Sequence, residues 1–205
     1  MNTLEQLQQE AIALFEQESF LNEPLTLYEP IEYGMKQGGK RVRPLLTLIA
    51  ADMFSGDVNK AKSAAIAVEI LHNFTLLHDD IMDQSPLRRG KETVYKKFNS
   101  NKAILSGDTM FALSYKHLLN YDNDIIKDLV EILTQSSIEV CEGQAFDMEF
   151  ETRNDVKIEE YIKDKPDFMK FITNPSVAPN GLKMIFRSDC MANLLLWYLM
   201  GATEG

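Results

Sequence analysis

Three carboxylates stand close together in the segment HDDIMD, and their spacing is suited to chemistry. Asp79 and Asp83 are four residues apart and Asp80 and Asp83 are three apart, so on a helix they share one face. We predict that they lie in the last helical turn, where the helix dipole makes each carboxylate cost about 0.3–1 kcal/mol. One interpretation is a solvated acidic helix end. The other is a Mg²⁺ site, since Mg²⁺ prefers carboxylate oxygens with room for water and phosphate.

Two basic segments flank these aspartates. The first, GGKRVRP, carries Lys40, Arg41 and Arg43 after a glycine pair, just before a predicted helix start. The second, SPLRRG, carries Arg88 and Arg89. Helix N-termini bind anions through free N–H groups, and Lys and Arg together bind phosphate by point charge and by bidentate contact. The alternatives are surface ion pairs in the first segment and mutual neutralisation with the aspartates in the second.

Polar residues within apolar helices form a weaker signal. His72 lies two turns before Asp79 on roughly the same face. Gln144, Asp147 and Glu151 follow one another at helical spacing. Taken alone, His72 is a satisfied polar residue and the stripe is a solvated helix face.

The elements that must position these side chains are helices. Apolar residues recur at helical spacing, and no stretch alternates as a strand would. The predicted helices cover residues 3–20, a segment opened by Pro44, 60–83, 102–119 and 124–150, with a polar loop at 84–100 whose Pro86 disfavours a helix before it. The sequence therefore predicts an all-α bundle.

Composition excludes several classes of protein. With 205 residues and 45% hydrophobic residues the chain can bury a core, and its net charge of −10 disfavours a nucleic-acid or anionic-membrane surface. Cys141 and Cys190 match no zinc or redox spacing. The acidic N-terminus is unlike a targeting peptide, and the apolar run Leu194–Met200 is too short to span a bilayer. We expect a soluble, cytoplasmic protein.

Taken together, GGKRVRP, HNFTLLHDDIMD, SPLRRG, ILSGD and EGQAFDMEF resemble the trans-isoprenyl diphosphate synthases, the polyprenyl synthetase family, in order and spacing over residues 35–163. The resemblance implies an all-α isoprenoid-synthase bundle around a central cavity, assembled as a homodimer in the cytoplasm. The family joins an allylic diphosphate to isopentenyl diphosphate and releases pyrophosphate. The implied cofactor is Mg²⁺, with Mn²⁺ as an alternative.

The resemblance also implies roles for single residues. The aspartate-rich motif that binds Mg²⁺ and the allylic diphosphate corresponds to Asp79, Asp80 and Asp83, with Arg88 on the same diphosphate. The isopentenyl diphosphate pocket corresponds to Lys40, Arg43, His72 and Arg89. The polar pair near the departing diphosphate corresponds to Gln144 and Asp147. Phe74, five residues before Asp79, matches a chain-length position of the geranylgeranyl type, which implies a C20 product with C15 as the alternative.

One departure from the family pattern concerns the later part of the chain. No Asp-Asp pair follows Asp83, no Lys-Thr element follows IEEY, and the sequence changes character near Asp164. We expect residues 1–164 to form the N-terminal part of the bundle and residues 165–205 an atypical tail, so that the chain alone is inactive. Two alternatives stay open: a non-catalytic partner subunit of the same fold, and a class I terpene cyclase. GGKRVRP disfavours a cyclase, which has no second diphosphate substrate to hold.

Overall fold

The computed structural model describes residues 2–54 and 57–156, and this part is a helical bundle, which confirms the predicted fold class. The predicted tail at 165–205, with Cys190 and Leu194–Met200, lies outside the described residues. The elements are α1 (Leu4–Gln17), α2 (Leu25–Met35), α3 (Val42–Phe54), a 3₁₀ turn (Val58–Ala61), α4 (Lys62–Met82), β1 (Leu87–Arg88), β2 (Lys91–Glu92), α5 (Val94–Phe98), α6 (Ser100–Leu118) and α7 (Asn123–Thr152).

The central element is α4, which packs against α6, α3, α2 and α1. Its first half is buried on nearly every side because small residues let neighbouring helices approach closely: Ala64, Ala65 and Ala67 are fully buried. Larger side chains such as Ile70 complete the packing, and each contributes about 1.5–3 kcal/mol by burial. The firmly packed first half therefore holds the acidic end of α4 in place.

Helix α6 packs tightly against α4 at Gly107, in the ILSGD segment. A Cβ atom at Gly107 would lie 2.4 Å from Nε2 of His78. The His78 ring is held there by an edge contact with Phe74, with ring centroids 4.8 Å apart, and its Nε2 donates to the Ile104 carbonyl at 3.3 Å. Glycine at position 107 is therefore required by packing.

The end of α4 differs from the prediction in its cause. The helix ends at Met82 because Gln84 adopts a left-handed conformation with φ of 52°. The Gln84 N–H then donates to the Ile81 carbonyl at 3.3 Å, and the Ser85 N–H donates to the Asp80 carbonyl at 3.0 Å. This is the hydrogen-bond pattern of a Schellman motif, with glutamine in the usual glycine position.

Residues 84–100 are not simply a polar loop, so that prediction was wrong. They hold a two-residue hairpin, in which Leu87 pairs with Glu92, and the short helix α5. The hairpin turn has positive φ at both central residues, Arg89 and Gly90, as a two-residue turn between twisted strands requires. Strands this short show no periodicity, which is why the pattern was missed.

Helices α2 and α3 each contain a proline. Pro44 lies in the first turn of α3, as predicted, where its missing N–H costs nothing. Pro30 is buried in the middle of α2, a helix that the sequence analysis did not predict. Its missing N–H removes a single hydrogen bond of that helix.

Candidate functional site

Arg88 joins the two adjacent aspartates at the end of α4. Its Nε donates to Oδ1 of Asp80 at 2.8 Å, and its Nη2 donates to Oδ2 of Asp79 at 3.1 Å. Asp80 is 2% exposed, whereas Asp79 and Arg88 are partly exposed. The Schellman turn and the hairpin bring Arg88 back over the helix end, so the ion pairing given above as the alternative for SPLRRG does form.

Arg88 does not fully offset the negative charge of this helix end. Burial raises the pKa of Asp79, the charge of Asp83 raises it further, and Arg88 acts in the opposite direction. Burial likewise raises the pKa of Asp80 despite the hydrogen bond and charge of Arg88. Carboxylates under mutual repulsion suit a hard divalent cation, whose charge would relieve that repulsion.

The carboxylates at the end of α4 do not by themselves make up a complete set of metal ligands in the described part of the chain. Within residues 2–54 and 57–156, no three acidic, histidine or cysteine side chains converge closely enough to hold a metal ion. Asp83, the residue that caps α4, is exposed. The donor set therefore fits a cation that takes its remaining ligands from phosphate and water.

Helix α7 brings Asp147, one of the predicted polar pair, within electrostatic reach of the end of α4. The charge of Asp147 contributes to the raised pKa of Asp79, which places the two carboxylates within electrostatic reach of each other. Gln144, about one turn earlier on α7, is half-buried. The side chain of Glu151 lies outside the described part of the chain.

A second group of charges surrounds His72, which is partly buried on α4. Burial lowers the pKa of His72 well below its usual value, and the charges of Arg43, Arg89, Arg88 and Arg41 lower it further. His72 is therefore neutral at pH 7. The charges of Arg43 and Arg89 act on His72, so three of the four residues predicted for the isopentenyl diphosphate pocket lie in one region. The fourth, Lys40, is exposed in the loop just before α3.

The glycine pair of GGKRVRP allows Arg89 to approach the loop. Nη1 of Arg89 donates a hydrogen bond to the carbonyl of Gly38. A Cβ atom at Gly39 would lie 2.7 Å from that nitrogen, and both glycines have positive φ, 90° and 138°. Glycine is therefore needed for the loop conformation and, at position 39, also for the close approach of Arg89.

Arg41 has a role that sequence reasoning missed. Its guanidinium is buried, pairs with Glu69 on α4 at 2.7 Å and donates to the Met35 carbonyl at 2.6 Å. It also lies 4.5 Å above the ring centroid of Phe15. The signal that could have revealed this was Glu69, a single carboxylate inside the most apolar part of α4.

Phe74 begins a row of aromatic contacts between α4 and α6. Its ring lies 5.3 Å from that of Phe111, which lies 5.2 Å from that of Tyr115. The Tyr115 hydroxyl shares a hydrogen bond of 3.0 Å with Oγ1 of Thr134 on α7. Sequence reasoning missed Phe111 and Tyr115, although their spacing of four residues on one helix face was visible.

Among the described helices, none combines the length and apolar composition needed to cross a membrane.

A bundle that sets an aspartate-rich helix end beside a cluster of arginines has the architecture of the isoprenoid synthases, and solved structures share this fold. A geranylgeranyl pyrophosphate synthase structure matches with a TM-score of 0.76 at 48% identity, covering 80% of this chain and 50% of that one. The geranylgeranyl pyrophosphate synthetase of Pyrococcus horikoshii matches with a TM-score of 0.73 at 36% identity, covering 78% and 51%.

Sequence comparison identifies the family. The polyprenyl synthetase profile matches residues 24–164. The geranylgeranyl pyrophosphate synthase of Geoglobus acetivorans is 44% identical over 144 residues, which cover 69% of this chain and 45% of that protein. The chain belongs to the polyprenyl synthetase family, as its motifs indicated. It spans about half the length of these relatives.

Proposed function

We propose that the protein is a prenyltransferase that condenses an allylic diphosphate with isopentenyl diphosphate to a short-chain, C15–C20, polyprenyl diphosphate. The observation that carries the proposal is the presence of two neighbouring charged regions of opposite composition along α4. One is the aspartate end with Arg88, and the other is the arginine cluster around His72. Two regions fit two diphosphate substrates.

The aspartate end is proposed to hold the allylic diphosphate. Asp79, Asp80 and Asp83 would hold Mg²⁺, or Mn²⁺ in its place, and the bound ion would stabilise the charge of the departing diphosphate. Arg88, fixed by the two aspartates, presents its charge beside the same diphosphate. Gln144 and Asp147 are proposed to lie near the departing diphosphate, and the charge of Asp147 does act on Asp79.

The arginine cluster is proposed to hold isopentenyl diphosphate through Lys40, Arg43, His72 and Arg89. A neutral imidazole in this place can donate one hydrogen bond without adding to the repulsion among the arginines. The dianionic diphosphate would offset that repulsion, so binding energy comes from charges already held close together.

The chain-length limit is proposed to lie at Phe74. The Phe74 ring contacts Phe111 on α6 and His78 on α4, and these contacts restrict its rotation. Replacing Phe74 by alanine should lengthen the product in an active full-length form. Product length is read by chromatography, and an unchanged length would remove Phe74 from this role.

Calorimetric titration tests the two diphosphate sites. We expect geranyl diphosphate to bind the chain with Mg²⁺ and to lose about tenfold or more in affinity in Asp79→Asn, because a charge-neutralising contact is lost. Isopentenyl diphosphate should bind without added metal and be unaffected by Asp79→Asn. Glu131→Gln, an exposed acidic change on α7, serves as the matched control. Failure of both diphosphates to bind the parent chain would contradict the proposal.

The two alternatives predict different titrations. A class I terpene cyclase would bind a single allylic diphosphate and no isopentenyl diphosphate, and the cluster around His72 favours two. A non-catalytic partner subunit would need neither site. Assembly as a homodimer and a cytoplasmic location remain predictions of the family resemblance.

A further inference from the structure

Arg41 is held inside the protein by three different kinds of contact. Arg41 is 8% exposed, and its partner Glu69 is 2% exposed. One guanidinium nitrogen donates to Glu69, the other donates to the Met35 carbonyl, and the guanidinium plane lies over Phe15. These contacts direct Arg41 toward the core, unlike the exposed Lys40 beside it.

The partner of Arg41 lies next to the proposed isopentenyl diphosphate pocket. Glu69 and His72 are three residues apart on α4, so they occupy neighbouring positions on the same helix face. Arg41 is the last loop residue before α3, with Lys40 before it in the loop and Arg43 after it in the first turn of α3. The ion pair therefore attaches the end of the basic loop to α4 one turn before His72.

The loop needs such an attachment because its backbone adopts an unfavourable conformation. Gly38, Gly39 and Arg41 all have positive φ, and for Arg41, at 48°, this is an unfavourable conformation for a residue with a side chain. A conformation of this kind persists where surrounding contacts over-determine it. The buried contacts of Arg41 supply that constraint.

We infer that the buried Arg41–Glu69 pair positions the 38–41 loop and the first turn of α3, so that Lys40 and Arg43 face His72 and bind the diphosphate of isopentenyl diphosphate. Arg41 is thus a positioning residue that does not itself touch the substrate. The inference rests on the proposed function and adds a residue pair to its second site.

Glu69→Gln separates positioning from simple electrostatics. Removing the carboxylate leaves the site more positive, so electrostatics alone would strengthen binding of isopentenyl diphosphate. If the pair positions the loop, the affinity should instead fall by about tenfold or more, because misplaced groups lose their contacts. Titration of the 205-residue chain with isopentenyl diphosphate measures this. Unchanged or tighter binding would overturn the inference.

Arg41→Lys gives a second, independent measurement. Lysine keeps the positive charge but cannot contact Glu69 and the Met35 carbonyl together as the guanidinium does. We expect weaker binding of isopentenyl diphosphate, with binding of geranyl diphosphate and Mg²⁺ unchanged within about twofold. Loss of fold would weaken both, so a selective loss identifies positioning. Equal loss in both titrations, or none, would reject it.

Lys36→Gln is the matched control. Lys36 pairs with Glu32 at 2.5 Å on the surface just before the loop, so this change removes an exposed ion pair from the same region. Affinity for isopentenyl diphosphate should not change. If the parent chain itself fails to bind isopentenyl diphosphate, the proposed function fails. If the parent binds and the Glu69 and Arg41 variants bind equally well, the present inference alone fails.

Discussion

Charged side chains of the same sign lie close together in both halves of the site. Burial and the charge of Asp83 raise the pKa of Asp79, and burial with four arginine charges lowers the pKa of His72. In each case the free protein is less stable than it would be with these charges apart, and a ligand of opposite charge would recover the difference. The residues proposed to bind the diphosphates would thus reduce the stability of the ligand-free chain.

His72 makes stability depend on pH in a defined direction. The pKa of His72 is lowered from its usual 6.5 in the folded chain, so the unfolded chain binds the proton first as the pH falls. The stabilisation is complete above about pH 6.5 and is lost as the pH falls toward the folded pKa. His72→Gln should reduce this loss, which urea unfolding between pH 7.5 and 5.5 measures.

His117 supplies the control for this titration. Burial lowers its pKa as well, so His117→Gln should remove a separate part of the same pH dependence, and the double variant should show the least. A His72→Gln profile parallel to that of the parent would show that His72 is protonated as easily in the folded chain as in the unfolded one.

At the scale of single elements, a substitution at the end of α4 should increase the stability of the protein. Gln84 occupies a left-handed position, with φ of 52°, that glycine adopts without strain. Gln84→Gly should raise the free energy of unfolding by about 0.5–1 kcal/mol, because relief of strain exceeds the added freedom of the unfolded chain. Chemical denaturation measures the change. A decrease would mean that the glutamine side chain stabilises the turn.

Adding a methyl group at Gly107, where α6 contacts α4, should destabilise the protein. Gly107→Ala should lower the free energy of unfolding by about 1–3 kcal/mol, because the new Cβ meets the His78 ring. Gly143→Ala on α7 is the control. Among the described residues, no atom outside its own stretch of helix lies within 4 Å of its Cβ position, so the helix propensity of alanine should stabilise the protein by about 0.5–1 kcal/mol. Equal effects at both positions would contradict the packing argument.

At the scale of the whole molecule, we expect binding without catalysis from the 205-residue chain. The described residues supply carboxylates at the end of α4 and on α7, but no three that converge on a metal, and the sequence has no second Asp-Asp pair. Incomplete positioning of the leaving group can cost several kcal/mol, and about 1.4 kcal/mol is already tenfold in rate.

Incubation with Mg²⁺, isopentenyl diphosphate and geranyl diphosphate tests this expectation, with a full-length family member as the positive control. Analysis of prenyl products over time should show none beyond a single turnover. Steady multiple turnover by the pure chain would prove the expectation wrong and would imply that the described carboxylates suffice.

The sequence alone was enough to predict the family and the longer helices, but neither α2 nor α5. Apolar periodicity depends on local spacing, so the long helix carrying Asp79 and Asp83 was placed to within two residues at its start and one at its end. The basic and acidic motifs were likewise local, and their order identified the polyprenyl synthetase family over residues 35–163, close to the matched 24–164.

Only the tertiary structure decided which basic side chain pairs with which carboxylate. Lys40, Arg41 and Arg43 look equivalent along the chain, yet Arg41 alone is buried against Glu69, since that contact depends on how α4 packs beside the loop. Gly107 is explained only by the ring of His78, 29 residues away in sequence. Spacing in sequence reports the faces of single elements, whereas burial and pairing depend on contacts between elements distant in sequence, which no local pattern contains.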